Sequence, residues 1–123
     1  MRKAILFITL LLFSGLVTGA LAQDEMLSPG VAVSGSVEDS ETELTYTIEG
    51  QIGETIYITV SPYGFGAEIL LRGPNGAAMD NGYELNGMLF VGPLTLGVDG
   101  EYTLQVRMAE WETQGGDFAV FYD

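Results

Sequence analysis

The chain has 123 residues, contains no cysteine and no histidine, and carries 17 acidic against 4 basic side chains. Without His or Cys it lacks the usual general base for a serine nucleophile, a thiol for catalysis and the ordinary ligands of zinc. All 17 acidic residues but only two basic ones follow position 22, so that part has a side-chain charge of 2 minus 17, or −15. A surface this acidic repels nucleic acids and anionic lipids, and it favours divalent or polycationic partners. Nucleic acid is therefore excluded as a partner.

The start of the chain has the pattern of a secretory signal peptide. Arg2 and Lys3 precede an apolar run at 4–13, and the small-residue exit Gly19-Ala20-Leu21-Ala22 follows it. A basic start, a short apolar stretch and a small-residue end are what signal peptidase recognises. We expect cleavage before Gln23 and a secreted protein, extracellular or periplasmic, with no membrane insertion after cleavage. The alternative, an uncleaved anchor, needs a longer apolar run and gives no reason for the paired alanines.

After this segment, apolar and polar side chains alternate, and no stretch shows sustained helical spacing. A period of two places the apolar side chains on one face of an extended strand. The runs that predict strands are, in chain order, 31–37, 44–48, 55–60, 69–72, 88–96, 102–108 and 118–122. Inside the fifth run, Gly92-Pro93 predicts a β-bulge or an edge position, because proline cannot donate to a sheet.

Turn signals rich in Gly, Asn and Asp separate these runs. Short strands at roughly 8 to 15 residue intervals predict an all-β fold, an antiparallel, jelly-roll-like β-sandwich of about eight strands. About 100 residues make one core, and without disulfides this core must hold the fold together. We divide the chain into a signal peptide at 1–22, a loose lead-in at 23–30 and a single domain at 31–123.

Six short motifs follow one another along the predicted domain. They are Gly35-Ser-Val37, Tyr46-x-Ile48, Gly50-Gln-Ile-Gly-Glu-Thr-Ile-x-Ile-x-Val60, Ile69-x-Leu-x-Gly-Pro-Asn-Gly76, Asp99-Gly-Glu-Tyr-Thr-Leu-Gln-Val106 and Gly116-Asp-Phe-x-Val120. Their order and spacing resemble the bacterial pre-peptidase C-terminal domain family. The resemblance implies a jelly-roll-like sandwich of the kind attached to secreted proteases, and related modules in collagenases bind collagen and calcium. The family has an Asp three residues before the position of Ile69, where this chain has Gly66.

The segment from position 80 to position 87 is a candidate calcium loop. Its oxygen donors are Asp80, Asn81, Glu84 and Asn86, and two glycines allow the backbone to curl. Carboxylate and amide oxygens are the ligands that calcium prefers, although the spacing is not that of an EF-hand. The alternative is a solvated acidic loop, since Asn, Asp and Gly also build ordinary turns. No cofactor is required by the sequence, and calcium is the one that we consider.

Aromatic residues in predicted loops form a second candidate site. The four that we assign to a ligand-binding surface are Tyr63, Phe65, Tyr83 and Trp111. Such rings can stack on sugar rings or peptide side chains. The alternative is that they fold back and cap one end of the sandwich, because large aromatic side chains are mostly well buried. Tyr57 and Phe121 are out of phase with the core faces of their strands, which predicts an exposed sheet face that contacts a partner.

These features favour a binding protein over an enzyme. A carboxylate-pair glycosidase is the one enzyme class that the residues permit without a cofactor, but nothing singles out two of the 17 acids and a domain of this size offers little concave surface. We expect a secreted, noncatalytic interaction module that binds an extracellular polymer or protein, such as a glycan, a collagen-like ligand or a cell-surface ligand. The alternatives are a structural component of a surface layer or matrix and an accessory of a separately encoded secreted protease. The sequence indicates no oligomeric state.

Overall fold

The computed structural model describes residues 25–123, so the predicted signal peptide lies outside the described residues. These residues form ten β-strands and contain no helix that could span a membrane. The strands are β1 (Glu25–Met26), β2 (Val33–Val37), β3 (Glu43–Gly50), β4 (Thr55–Pro62), β5 (Ala67–Arg72), β6 (Ala78–Asp80), β7 (Tyr83–Leu85), β8 (Met88–Thr95), β9 (Gly100–Met108) and β10 (Gly116–Tyr122).

The strands build two five-stranded sheets that pack face to face. Sheet A has the order β1-β3-β9-β5-β6, and sheet B has the order β2-β10-β4-β8-β7. Every pairing is antiparallel except that of β1 with β3. The predicted antiparallel sandwich is confirmed. The structure has ten strands where we expected about eight, because β1, β6 and β7 are edge strands of two or three residues, too short to show a period in the sequence.

The core lies between the two sheets and is built by the predicted alternation. In β9, the central strand of sheet A, Tyr102, Leu104 and Val106 point inward and are fully buried. In β4, the central strand of sheet B, the inward residues are Ile56, Ile58 and Val60. Burial of one face of each sheet is the stabilising principle of a sandwich, and here it acts without disulfides.

The lead-in is ordered from its first described residue. Glu25 and Met26 pair in parallel with Tyr46 and Thr47 of β3. The next residue, Leu27, is buried in the core, and its N–H donates to the Thr47 carbonyl over 2.8 Å. The expectation of a loose lead-in is therefore wrong for residues 25–27, because the open edge of β3 gains a partner and the core gains an apolar side chain.

The predicted irregularity in β8 is confirmed as a bulge. Ile56 pairs with Leu94 and Ile58 with Val91, so two residues of β8 oppose one residue of β4. Gly92 has a φ of 104° there, and a Cβ on it would overlap the carbonyl oxygen of Ile56. Glycine is needed at this position both for its conformation and for the close approach of the two strands.

Candidate binding surface

Two loops meet at one end of the sandwich. The β4–β5 loop at 63–66 lies against the β9–β10 loop at 109–115. The N–H of Ala109 donates to the Gly66 carbonyl over 3.0 Å. The N–H of Gly66 donates to the Glu112 Oε2 atom over 2.6 Å. Both hydrogen-bonding groups of this glycine backbone thus fasten one loop to the other.

This contact gathers three of the four predicted aromatic residues, and we call Tyr63, Phe65 and Trp111 the end patch. Phe65 is half-buried and packs against the core, so it caps the sandwich. Tyr63 and Trp111 remain 62% and 73% exposed. The capping alternative is therefore correct for Phe65 and wrong for the other two.

The indole ring of Trp111 lies directly over Gly66. A Cβ on residue 66 would overlap the Cη2 and Cζ2 atoms of that ring. Residue 66 is the position at which the family pattern has Asp, and its lack of a side chain here makes room for the ring. Trp111 is thus mostly exposed and yet seated on the backbone of the neighbouring loop, which is an arrangement suited to stacking against a ligand.

A groove of 420 Å³ lies beside the end patch. It is lined by Phe65 and Trp111 together with the carboxylates of Glu68, Glu84 and Glu112. Its aromatic and acidic lining suits a neutral or cationic ligand and disfavours an anionic one.

Both arginines of residues 25–123 lie on the outer face of sheet A. Arg107 forms an ion pair of 3.1 Å with Glu68. Arg72 donates from Nε to Gln105 over 3.2 Å and from Nη1 to the Gly76 carbonyl over 3.0 Å. These side chains line a second groove, of 710 Å³, beside β5. Because each guanidinium already has acceptors within the chain, this face is a cross-strand polar network rather than an anion site.

The four residues of the predicted calcium loop do not share one loop. Asp80 ends β6 in sheet A, Asn81 follows it, Glu84 lies in β7 of sheet B, and Asn86 begins a hairpin turn with a φ of 54°. The segment is a crossover between sheets followed by a tight turn, which corrects the expectation of a single curled loop. The Asp80 Oδ1 atom accepts from the Gly82 N–H over 2.7 Å. In the described part of the chain, no three His, Cys, Asp or Glu side chains are grouped to hold a metal, and the calcium site stays a prediction.

Tyr83 does not line the groove of the end patch but lies on the outer face of sheet B. Its ring stacks on Phe90 with 5.5 Å between centroids and 30° between planes. Across the sheet, Phe90 of β8 pairs with Thr59 of β4, and Thr59 pairs with Phe121 of β10. These residues form a row on the outer face. Tyr57 projects from β4 on the same side, two residues from Thr59. We call Tyr57, Tyr83, Phe90 and Phe121 the aromatic face.

The sequence predicted part of this face. Tyr57 and Phe121 are 51% and 39% exposed, so the predicted exposure of these two rings is confirmed. Phe90 was missed, although it alternates with the core residues Leu89 and Val91 and carries the same out-of-phase signal. Apolar neighbours on both sides hide that signal, since a continuous apolar run does not tell which residues point outward.

Two core tyrosines have shifted pKa values. Burial and the charge of Glu25 raise the pKa of Tyr46 to about 12. Burial, and then the charge of Glu54 and the hydrogen bond to it, raise the pKa of Tyr122. That bond is 3.3 Å from the phenol oxygen to Glu54 Oε2. Both phenols stay neutral at physiological pH and belong to the core rather than to a catalytic site.

Solved structures share this fold. The pre-peptidase C-terminal domain of a collagenase from Bacillus anthracis has a TM-score of 0.69, is 15% identical, and the match covers 86% of this chain and 100% of that one. PliG, a periplasmic inhibitor of g-type lysozyme, matches with a TM-score of 0.53 from both Salmonella Typhimurium and Aeromonas hydrophila. These two are 18% and 19% identical, and the matches cover 82% of this chain and 99% and 100% of theirs.

No protein-family model matches the chain, and no curated protein matches it. At identities below 20%, the structural likeness shows the fold and not the function. The chain therefore has the β-sandwich fold of a pre-peptidase C-terminal domain, as the order of its motifs predicted.

Proposed function

We propose that the chain is a secreted, noncatalytic binding module that recognises an extracellular protein or polymer through the end patch. The observation that carries this proposal is the state of Trp111, which is mostly exposed while its ring is seated on Gly66. A ring that is already held in place loses little conformational freedom when a ligand binds, so more of the contact energy becomes affinity. Tryptophan and tyrosine are also the residues that most often dominate binding energy.

The charge of the domain supports a neutral or cationic partner. Residues 25–123 carry 16 acidic side chains and two arginines, and both arginines are bonded within the sheet A network. Long-range attraction of a cationic surface raises the association rate. The PliG proteins of the same fold are inhibitors of an enzyme, which supports protein binding as one use of this architecture.

The carboxylates beside the end patch support a noncatalytic role. Glycoside hydrolysis requires an acid and a second carboxylate that acts as base or nucleophile. Of the three in the groove, Glu68 bonds to Arg107 and Glu112 accepts from the Gly66 N–H. Both carboxylates therefore hold parts of the fold together rather than form the acid and base pair that hydrolysis requires.

Assembly into a surface layer is less favoured by the charge. Two copies of a domain with 16 acidic and two basic side chains repel each other at physiological salt. A monomer in size-exclusion chromatography with light scattering is the expected result, and a stable oligomer would favour the assembly alternative.

The binding proposal is tested by immobilising residues 23–123 and measuring retention of g-type lysozyme and of soluble collagen. Trp111→Ala should weaken binding of the retained ligand by at least about tenfold, or about 1.4 kcal/mol. Thr113→Ala, an exposed change in the same loop, is the matched control and should bind like the parent. Equal binding by the parent and Trp111→Ala, or no retention of any of these ligands, would contradict the proposal.

A further inference from the structure

The two outer faces of the sandwich differ in chemistry. The charged residues that point outward from sheet A are Glu43, Glu49, Glu68, Arg72, Glu101 and Arg107. On sheet B, the outward positions of β4 and β8 carry no charge, and those of β10 carry charge only at Asp117. Asp123 follows the end of β10. A domain with 16 acidic side chains within residues 25–123 therefore keeps one broad surface almost free of them.

The aromatic face occupies this uncharged surface as an ordered row. Tyr83, Phe90, Thr59 and Phe121 are successive cross-strand partners on β7, β8, β4 and β10. Phe90 and Phe121 are separated by one strand, which places their backbones about 10 Å apart. Hydrogen bonds between the strands fix this spacing, so the rings follow one another in a row across the twisted sheet.

Hydroxyl groups border the rings. The outward hydroxyl side chains of β4 and β8 are Thr55, Thr59, Ser61 and Thr95. The Oγ1 atoms of Thr55 and Thr95 are 3.0 Å apart and hydrogen-bond to each other. A hydroxyl both donates and accepts, so these side chains can hydrogen-bond to the hydroxyl groups of a sugar, which also do both.

The lack of charge on this face favours one of three possible ligands, which are a second copy of the domain, a polycation and a neutral polysaccharide. A second copy would bring another 16 acidic side chains within residues 25–123 of the first domain, and that repulsion is not offset by any ion pair on this uncharged surface. A polycation would be drawn instead to the acidic groove of the end patch or to sheet A. A neutral polysaccharide has neither problem, since its rings offer apolar C–H faces to aromatic side chains and hydroxyl groups to their border.

We propose that the aromatic face binds a neutral, extended polysaccharide, with sugar rings stacked on Tyr57, Phe90 and Phe121. The regular spacing of the strands suits a polymer whose rings repeat at a regular interval. This inference rests on the proposed function as a binding module, but it uses residues on a different surface from the end patch. The domain then has two contact regions of different chemistry.

Retention of residues 23–123 on cellulose, on chitin and on a neutral β-glucan gel tests the proposal. The double variant Tyr57→Ala with Phe121→Ala should lose at least about tenfold in affinity for the retained polymer. Thr45→Ala with Thr103→Ala, on the outer face of sheet A, is the matched control and should be retained like the parent. Retention should also be unchanged between about 0.05 and 0.5 M sodium chloride, because no ion pair is involved.

Folding is checked separately by the melting temperature of each variant. Should the double variant prove unstable, Tyr83→Ala replaces it, because Tyr83 is 56% exposed and lies on a three-residue edge strand. This single change should still lower retention, because Tyr83 stacks on Phe90. Retention equal to that of the parent would then contradict the proposal.

Several outcomes would overturn the proposal. They are no retention on any of the three polymers, equal retention of a folded double variant, or retention that falls steeply with salt. Loss of collagen or lysozyme binding in the double variant, without polysaccharide retention, would make this face a protein-binding site. Loss of binding in Trp111→Ala but not in the double variant would support the end patch as the binding site and contradict binding at the aromatic face. If neither variant changes the binding of any ligand, both proposed binding surfaces are wrong.

Discussion

Trp111 lies where a side chain on Gly66 would be. Its indole ring covers the glycine so closely that a Cβ on residue 66 would overlap two ring atoms. The neighbouring Glu112 accepts from the Gly66 N–H over 2.6 Å. A single glycine in one loop therefore sets the position of an exposed aromatic ring in another.

Replacing Gly66 by alanine should displace this ring. Because Trp111 is mostly exposed, the ring can move away, and the free energy of unfolding should fall by no more than about 1 kcal/mol. Trp111 is the single tryptophan, so its emission spectrum reports the displacement directly. Gly97→Ala is the control, since nothing lies within 4 Å of a Cβ there and its φ is not positive. Identical spectra for the parent and Gly66→Ala would contradict the packing of the ring on the glycine.

The core register of β9 is tested by a pair of adjacent changes. Leu104 is fully buried at the centre of sheet A, whereas Thr103 points outward. Leu104→Ala should lower the free energy of unfolding by about 2 to 5 kcal/mol, because it leaves a cavity, and Thr103→Ala by under about 1 kcal/mol. Denaturant melts measure both values. Similar losses for the two variants would mean that this strand does not present alternate residues to the core.

Alkaline pH should destabilise the fold through Tyr46. Burial and Glu25 raise its pKa to about 12, above the value of about 10 in the unfolded chain. Between these values the unfolded chain gives up its proton more readily, so stability that is fully present below about pH 10 is lost as the pH rises toward 12. The loss should reach up to about 3 kcal/mol for Tyr46. Tyr122, whose pKa is also raised, adds a loss of the same sign.

Two variants separate this effect from general alkaline unfolding. Tyr46→Phe should flatten the fall in the free energy of unfolding above pH 10, because the titrating phenol is gone. Tyr63→Phe, at an exposed position of the end patch, should keep the parent slope. The same slope in Tyr46→Phe and the parent would show that burial of this phenol is not the cause.

The segment from Asp80 to Gly87 is expected to bind calcium. If Asp80 and Glu84 hold the ion, calcium should raise the melting temperature more than magnesium does at matched ionic strength. The stabilisation should be about 1.4 kcal/mol at a tenfold excess over the dissociation constant. Asp80→Asn with Glu84→Gln should abolish the difference while leaving an acceptor for the Gly82 N–H.

Plain screening of charge is controlled by removing two carboxylates elsewhere. Glu49 and Glu101 face each other across β3 and β9, so Glu49→Gln with Glu101→Gln removes the same number of charges from strands that do not belong to the segment. This control should keep the calcium-specific shift. Equal shifts by both ions, or a shift that survives in Asp80→Asn with Glu84→Gln, would show that the segment is only a crossover and a turn.

The long strands could be predicted from the sequence because only one register buries their apolar side chains. Residues 102–108 alternate strictly and residues 55–60 do so except at Tyr57, so both the strands and their inward faces followed from the pattern. The outward position of Tyr57 and Phe121 followed from the same argument. Strands β1, β6 and β7 are too short to have a period, and they form because a longer strand offers them an edge.

The end patch depends on contacts that no local pattern contains. Gly66 and Glu112 are 46 positions apart, and their hydrogen bond exists only because the two loops meet at the same end of the sandwich. The sequence could therefore name Tyr63 and Trp111 as loop aromatics without placing them together. It also grouped Tyr83 with them, although Tyr83 is paired with Phe90 on the face of sheet B.

Titration of residues 23–123 with retained lysozyme or collagen, with tryptophan emission recorded, tests whether this binding module uses Trp111. Since Trp111 is the single tryptophan and is 73% exposed, contact with a ligand should shift its emission to shorter wavelength in a saturable way. The midpoint should match the dissociation constant from an independent binding assay. If the independent assay shows that this ligand binds while the tryptophan emission stays unchanged, the end patch is not the contact region.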